Sequence, residues 1–278
     1  MTEHTTTAAG TASRIGGAFA TAQADGRIVL APFVTVGYPT LERSKKLVRA
    51  IAEAGADMME IGIPFSDPLA DGATVQRTSQ RALEQGVTLT DAFRMIEELR
   101  AEGMTIPIVF MGYANPFWQY GLEKLAARAA DVGVDGFIVP DLPAEEADEW
   151  VKAFRAAGRD LIFLVAPTST DQRLQRVAEQ ASGFIYCVSL TGVTGARESL
   201  AGDLADYIGR VRAKTDLPLA IGFGISTPEH VAEVATIADG AIIASALINY
   251  LDTLPEADEE AGAKEFVGKL RAATAKQG

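Results

Sequence analysis

The stretch AEAGADMMEIGIPFSDPLADG, residues 52–72, contains one complete unit of the pattern on which this chain is built. It leaves an amphipathic segment and passes through the small-residue turn Gly55-Ala56-Asp57. It then runs through the apolar segment Met58–Ile63 and ends in a loop stiffened by Pro64 and Pro68. The apolar run is continuous rather than alternating, as expected of a parallel strand buried on both faces. Gly55 suits the end of a helix, because glycine accepts the left-handed conformation that closes one. The turns Gly133-Val134-Asp135 and Gly158-Arg159-Asp160 repeat the same punctuation.

Working outward, seven further apolar runs share the rhythm: Ile28–Val36, Ile106–Met111, Gly136–Val139, Leu161–Val165, Phe184–Ser189, Leu217–Ile221 and Gly240–Ala244. Between them the spacing predicts helices over Leu41–Ala54, Ala92–Ala101, Gly121–Val132, Ala144–Ala157, Asp171–Gln180, Leu204–Lys214 and Thr227–Ala238, with a last helix over Ala261–Thr274. Eight strands alternating with helices point to an α/β fold, a closed (β/α)8 TIM barrel. The competing architecture is an open doubly wound sheet. No G-x-G-x-x-G follows the first strand, and no P-loop is present. The 278 residues suit one barrel, and no linker or composition shift divides them. Residues 1 to about 12, rich in Thr and Ala, read as a tail. Arg14–Gln23 reads as a short capping helix, so 1–25 forms an N-terminal appendage and 26–278 the barrel.

Composition narrows the functional classes. Hydrophobic residues make up 48% and charged residues 22%, which is ordinary for a soluble protein with a large core. The formal net charge of −12 argues against nucleic acid or an anionic membrane as partner. A substrate phosphate remains compatible, because backbone N–H groups bind one without Lys or Arg. No apolar run reaches the roughly 20 residues needed to span a bilayer, and the first 25 residues lack the pattern of a secretory signal. Cys187, the only cysteine, reads as a small apolar filler, and the absence of a second one fits a reducing compartment such as the cytoplasm. His4 and His230 are far apart and in no metal-ligand spacing, so no metal site is expected.

In a barrel the working groups lie at the C-terminal ends of the strands. Glu60 is a carboxylate inside an apolar run, where burial raises its pKa into the range useful for proton transfer. The competing reading is a Glu neutralised by a neighbouring Lys or Arg. The loop after it offers Asp67 and Asp71, either of which also suits turn chemistry, and spacing does not choose between them. Gly222-Phe223-Gly224-Ile225-Ser226 and Ala244-Ser245 end the seventh and eighth strands, where barrels often hold a phosphate. Gly192-Val193-Thr194-Gly195 reads as a mobile lid after the sixth strand. Phe33, Tyr113 and Tyr186, near strand ends, are candidates for lining a flat apolar pocket or for plain core packing.

The run Glu60-Ile61-Gly62-Ile63-Pro64-Phe65-Ser66-Asp67-Pro68-Leu69-Ala70-Asp71-Gly72 resembles the signature of tryptophan synthase α subunits. The resemblance extends in order through Pro32–Pro39, Met111–Pro116, Pro140–Pro143, Gly192–Gly195 and Gly222–Ser226, covering nearly the whole chain after about residue 26. It implies a lyase of tryptophan biosynthesis that cleaves indole-3-glycerol phosphate to indole and glyceraldehyde 3-phosphate by a retro-aldol reaction. It implies Glu60 as the acid/base group and Asp71 as the carboxylate that bonds the indole N–H, setting Asp67 aside. Phe33, Met111, Tyr113 and Tyr186 match indole-pocket or neighbouring positions, and Thr194 matches a lid residue. Gly195, Gly224, Ala244 and Ser245 match the phosphate site, with Gly222 and Phe223 beside it. The resemblance further implies a β-subunit partner in a cytoplasmic α2β2 heterotetramer. It implies no cofactor in this chain, with pyridoxal phosphate only on the β partner. Three departures stand out: Ala73 where the family commonly has Pro, Ala244 where Gly is usual, and Met111 in place of an aliphatic residue. A free-standing lyase that releases indole would carry the same site. A non-catalytic regulatory barrel would not need both carboxylates, and another phosphate-binding barrel, such as an isomerase of the same pathway, would typically need a different acid/base set.

Overall fold

The computed structural model describes residues 13–189, 197–222 and 224–276. Eight parallel strands close into a barrel in chain order. They are β1 (Val29–Thr35), β2 (Met59–Gly62), β3 (Ile108–Met111), β4 (Gly136–Ile138), β5 (Asp160–Val165), β6 (Ile185–Val188), β7 (Leu219–Gly222) and β8 (Gly240–Ile243). The helices before β4 are α1 (Arg14–Ala24), α2 (Leu41–Glu53), α3 (Ala73–Glu84), α4 (Leu89–Ala101), α5 (Ala114–Tyr120) and α6 (Leu122–Val132). After it come α7 (Asp148–Ala156), α8 (Asp171–Gln180), α9 (Arg197–Arg212), α10 (Pro228–Ala235), α11 (Ser245–Leu251) and α12 (Glu259–Ala272). The closed barrel, and not the open sheet, is therefore the architecture.

Side chains alternate across each strand, so every strand serves two cores. Val29, Ala31, Met58, Val109, Ile138, Ile162, Ala220 and Ile242 fill the barrel lumen. Leu30, Val34, Met59, Ile61 and Phe110 point outward and pack against the helices. The lumen is plugged from below by α1, whose Ile15, Phe19 and Ala22 join the inner cluster. Ser13 caps that helix, its Oγ accepting from Gly16 N at 3.1 Å. Two steps of alternation above Met58, the same face of β2 presents Glu60, which stands in register with Phe33 of β1 and Val109 of β3.

The aspartates before strands have a defined task at the base. Asp57, ahead of β2, accepts from Leu30 N in β1 at 3.0 Å. Asp135, ahead of β4, accepts from Ile108 N in β3 at 2.9 Å. Asp239, ahead of β8, accepts from Leu219 N in β7 at 3.0 Å. Between β5 and β6 the acceptor is Ser182 Oγ, 3.0 Å from Leu161 N. The repeat is thus one acceptor per strand pair. Asp160 lies inside β5 and falls outside it, although the Gly158-Arg159-Asp160 turn looks alike in sequence.

Three helices escape the sequence pattern: α3, α5 and α11. The buried face of α3 is Thr78, Ser79 and Ala82, which no apolar periodicity marks. α5 and α11 have seven residues each, too short for a periodic signal. The stretch expected as one helix over Ala144–Ala157 divides into a 3-10 turn, Ala144–Glu146, and α7. The remaining helices and the strands match the expected segments with shifted ends, the largest shift being the earlier start of α9.

Candidate active site

Glu60 is 2% exposed, and its Oε2 has no hydrogen-bond partner among the described residues. The competing reading, a Glu paired with a cation as barrel filler, is not what the structure contains. Burial pushes its carboxyl up to about 8, and the negative charge of Asp71 adds to the shift. Asp71 reaches the same cleft from the loop after β2. Burial raises it to about 6, while a hydrogen bond from the Tyr113 hydroxyl pulls it back. The two carboxylates therefore hold protons with unlike strength. Tyr186, buried against both charges, is held well above its ordinary range and stays neutral.

Both carboxylates line one cleft of about 340 Å3 at the C-terminal end of the barrel. This is within the usual size of a small-molecule site. Phe33, Met111 and Tyr186 are among its apolar lining, and Gly224, Ala244 and Ser245 line it from beyond the ends of β7 and β8. Two glycines make the apolar side possible. A Cβ on Gly62 would sit 2.3 Å from the Phe33 ring, and one on Gly222 would sit 2.0 Å from the Tyr186 hydroxyl. The ends of β2 and β7 are thus kept bare so that rings from β1 and β6 lie flat across them.

Tyr113 and Gly222 stand beside residues of the site, Tyr113 in an adjoining pocket with Phe33, Asp71 and Met111, and Gly222 against the Tyr186 ring. Neither lines this cleft. Tyr113 lies behind the Asp71 loop, where its hydroxyl accepts from Ala70 N at 2.9 Å and its ring stacks on Phe65 at 5.1 Å. Gly222 makes room for the Tyr186 ring. Asp67 is not in the cleft either, and its carboxylate takes a hydrogen bond from Ser66 Oγ. Thr194, Gly195 and Phe223 lie outside the described residues. Val75, Ser226, Ile242 and Asn249 also line the cleft. Val75 belongs to α3 and Asn249 to α11, two of the three helices the periodicity misses, and Ile242 is one apolar residue among many in β8. Ser226 ends the Gly222–Ser226 motif, its only signal in the sequence.

The departures noted in the sequence cost little here. Ala73 is the first residue of α3, where Pro is favourable but not required. Ala244 has a negative φ of −118, outside the left-handed region that favours glycine. Met111 keeps its place in the apolar wall.

The loop that carries Asp71 is fastened from α3. Ser79 Oγ accepts from Phe65 N at 2.8 Å and donates to Phe65 O at 3.1 Å. Thr78 shares a hydrogen bond with Thr35 of β1 at 2.6 Å. Elsewhere, Cys187 is fully buried, and burial pushes its thiol up to about 12, which makes it inert filler. His230 meets Ser226 at 3.3 Å, and among the described residues no group of three His, Cys, Asp or Glu side chains is arranged to hold a metal.

Known proteins resemble this chain over most of its length. The family model described as tryptophan synthase alpha chain matches residues 19–275. The tryptophan synthase alpha chain of Chloroflexus aurantiacus is 52% identical over 264 residues, covering 95% of this chain and 99% of that one. That of a Roseiflexus species is 54% identical over 259 residues, covering 93% and 99%. Among solved structures, tryptophan synthase subunit alpha from Legionella pneumophila superposes with a TM-score of 0.88 at 35% identity, covering 94% and 98%. A tryptophan synthase structure from Mycobacterium tuberculosis gives 0.86 at 36%, covering 96% and 100%. With a barrel that superposes on these structures and a sequence that follows these proteins over most of its length, this chain belongs to the tryptophan synthase alpha chain family.

Proposed function

We propose that Glu60 and Asp71 divide the proton and charge work of the family's reaction, the retro-aldol cleavage of indole-3-glycerol phosphate to indole and glyceraldehyde 3-phosphate. The supporting observation is one cleft holding two carboxylates of unlike proton affinity, with no cation beside the buried one among the described residues. Near neutral pH Glu60 enters protonated and Asp71 largely ionised. Glu60 donates its proton to the indole ring carbon that bears the glycerol chain. The resulting positive charge spreads to the ring N–H, where the Asp71 carboxylate accepts a hydrogen bond and stabilises it. Glu60, now a carboxylate, takes the proton of the adjacent chain hydroxyl. The C–C bond breaks, its electron pair restores the aromatic ring, and the hydroxyl carbon becomes the aldehyde. Glu60 ends protonated as it began, so the cycle balances within this chain's own groups.

The indole ring is assigned to the side formed by Phe33, Met111 and Tyr186. The phosphate is assigned to the end formed by Gly224, Ala244 and Ser245. By resemblance Gly195 is assigned to the phosphate site, Phe223 to a place beside it, and Thr194 to a lid position that closes toward Asp71. Tyr113 acts through Asp71. The reading needs no cofactor in this chain, and pyridoxal phosphate is assigned to a β partner.

The same reading includes that partner in an α2β2 assembly, and a cytoplasmic location. The relatives' name, alpha chain, supports a partnered subunit. Among the described residues no helix is long and apolar enough to cross a membrane. Leu69, 92% exposed after β2, and Trp118, 54% exposed after β3, give the cleft side of the barrel apolar side chains to cover.

The test is indole release from indole-3-glycerol phosphate, with and without a tryptophan synthase β subunit. Glu60→Gln is expected to lower kcat by about 10³-fold or more with KM nearly unchanged. Substantial turnover by that variant refutes the assignment. Stoichiometric β subunit is expected to raise turnover, and an unchanged rate identifies a free-standing lyase.

A further inference from the structure

The phosphate end of the cleft has an unusual electrostatic problem. No Lys or Arg lines the cleft among the described residues, so the donors described there are neutral. Asn249 lines that end, one helical turn beyond Ser245 on the same side of α11. Its Oδ1 is occupied: Thr74 Oγ1, in the first turn of α3, donates to it at 3.1 Å. The amide plane is thereby oriented, and both Nδ2 protons remain without a protein acceptor among the described residues. One turn further along both helices, Arg77 pairs with Asp252, and the Arg77 guanidinium also donates to Tyr38 at 2.6 Å. Tyr38 in turn donates to Asp252 at 2.7 Å. The helices α3 and α11 are therefore laddered by two polar rungs, and α3 begins two residues after Asp71.

We propose that Asn249 is a phosphate-contacting, specificity-determining residue of this site, its amide aimed by Thr74. This rests on the assignment of the phosphate to this end of the cleft. An amide with its oxygen engaged presents only N–H donors, which suit a phosphate and not a cation or an apolar group. Thr74 is a positioning residue. By tying Asn249 to the helix that follows Asp71, it links grip on the phosphate to placement of the carboxylate that meets the indole N–H. The site thereby recognises a phosphorylated chain from the α11 side, and a substrate lacking the phosphate forfeits that grip.

The experiment measures KM and kcat for indole-3-glycerol phosphate, and the dissociation constant of inorganic phosphate, in the wild type and in Asn249→Ala, Asn249→Asp, Asn249→Lys and Thr74→Val. Loss of one hydrogen bond to a charged group corresponds to about 10- to 100-fold in affinity. Asn249→Ala is expected to raise KM and weaken phosphate by about tenfold or more, with kcat within about threefold. Asn249→Asp, equal in size but negative, is expected to do worse, and Asn249→Lys to recover phosphate affinity. Affinity for free indole is expected to be unchanged in all of them, which a general loss of structure would not permit. Thr74→Val is expected to weaken phosphate less than Asn249→Ala, and to add nothing when combined with it. Wild-type phosphate affinity in both Asn249→Ala and Asn249→Asp overturns the proposal. If the wild type neither cleaves indole-3-glycerol phosphate nor binds phosphate, the functional reading itself fails, and that outcome is distinct.

Discussion

Glu60 carries the largest electrostatic cost visible in the site, since it is buried, beside another carboxylate, and partly unpartnered. That cost makes it an acid. Catalysis as proposed needs Glu60 protonated and Asp71 ionised. Activity is therefore expected to rise as pH passes about 6 and to fall as it passes about 8. The two limbs belong to the pair and not to either residue alone. A kcat/KM profile that stays flat from pH 5 to 9 contradicts this assignment. Stability follows with a definite sign. The folded Glu60 carboxyl holds its proton more tightly than the unfolded one, so its contribution is intact below the unfolded value of about 4.3. It is lost progressively, at about 1.4 kcal/mol per pH unit, until pH passes the folded value. Glu60→Gln is therefore expected to match the wild type in thermal denaturation near pH 4 and to be clearly more stable than it at pH 8, the gap widening through that window. An equal melting temperature at both pH values argues against a raised Glu60.

Elements act here as fasteners. α3 buries hydroxyls where most barrel helices bury methyl groups, and those hydroxyls hold β1 and the Asp71 loop. Ser79→Ala removes both bonds to Phe65. It is expected to lower kcat by about tenfold through misplacement of Asp71, with a stability loss of about 1–2 kcal/mol. A stability loss with wild-type kcat would make Ser79 purely structural. At the base, Asp135 serves Ile108 N and pairs with Arg100 at 2.9 Å and Arg14 at 3.2 Å. Asp135→Ala leaves a largely buried guanidinium and a strand N–H unpaired, and is expected to cost about 3 kcal/mol. Because this cluster is at the end of the barrel opposite the cleft, kcat measured well below the melting temperature is expected to stay at the wild-type value. This separation of effects shows up as a shifted urea midpoint with unchanged steady-state kinetics.

On the scale of the whole molecule, one lumen is closed below and open above. α1 closes it by inserting Phe19, whose ring lies 5.6 Å from Phe184 and touches the space over Gly240. Phe19→Ala is expected to cost about 3–5 kcal/mol through the cavity it leaves. Refilling with Leu is expected to recover part of that loss, and both variants to retain the wild-type KM. A KM rise in either would show that the plug shapes the cleft above it. The open end gathers Glu60, Asp71, the rings from β1 and β6, and the starts of α3 and α11. Stability and chemistry are thus divided between the two ends of the barrel, as is general for this architecture.

The sequence by itself determined the eight strands, the barrel and the buried acid, because these rest on local facts. An apolar run bounded by glycine turns is a strand wherever it packs, and a carboxylate within such a run is buried in any α/β arrangement. Resemblance was needed to prefer Asp71 over Asp67, since both read as turn residues. Only the tertiary structure decided which neighbours these groups have. It set the Tyr113 hydroxyl beside Asp71 and the Tyr186 ring against Gly222. It revealed α3, whose buried face is polar and so leaves no hydrophobic period. It brought Asn249 to Thr74 across 175 residues of chain. The physical reason is the same each time. Burial of an apolar side chain is non-directional and can be read from composition along the chain, whereas a hydrogen bond or a ring against a bare glycine depends on distance and angle between segments that only the closed barrel brings together.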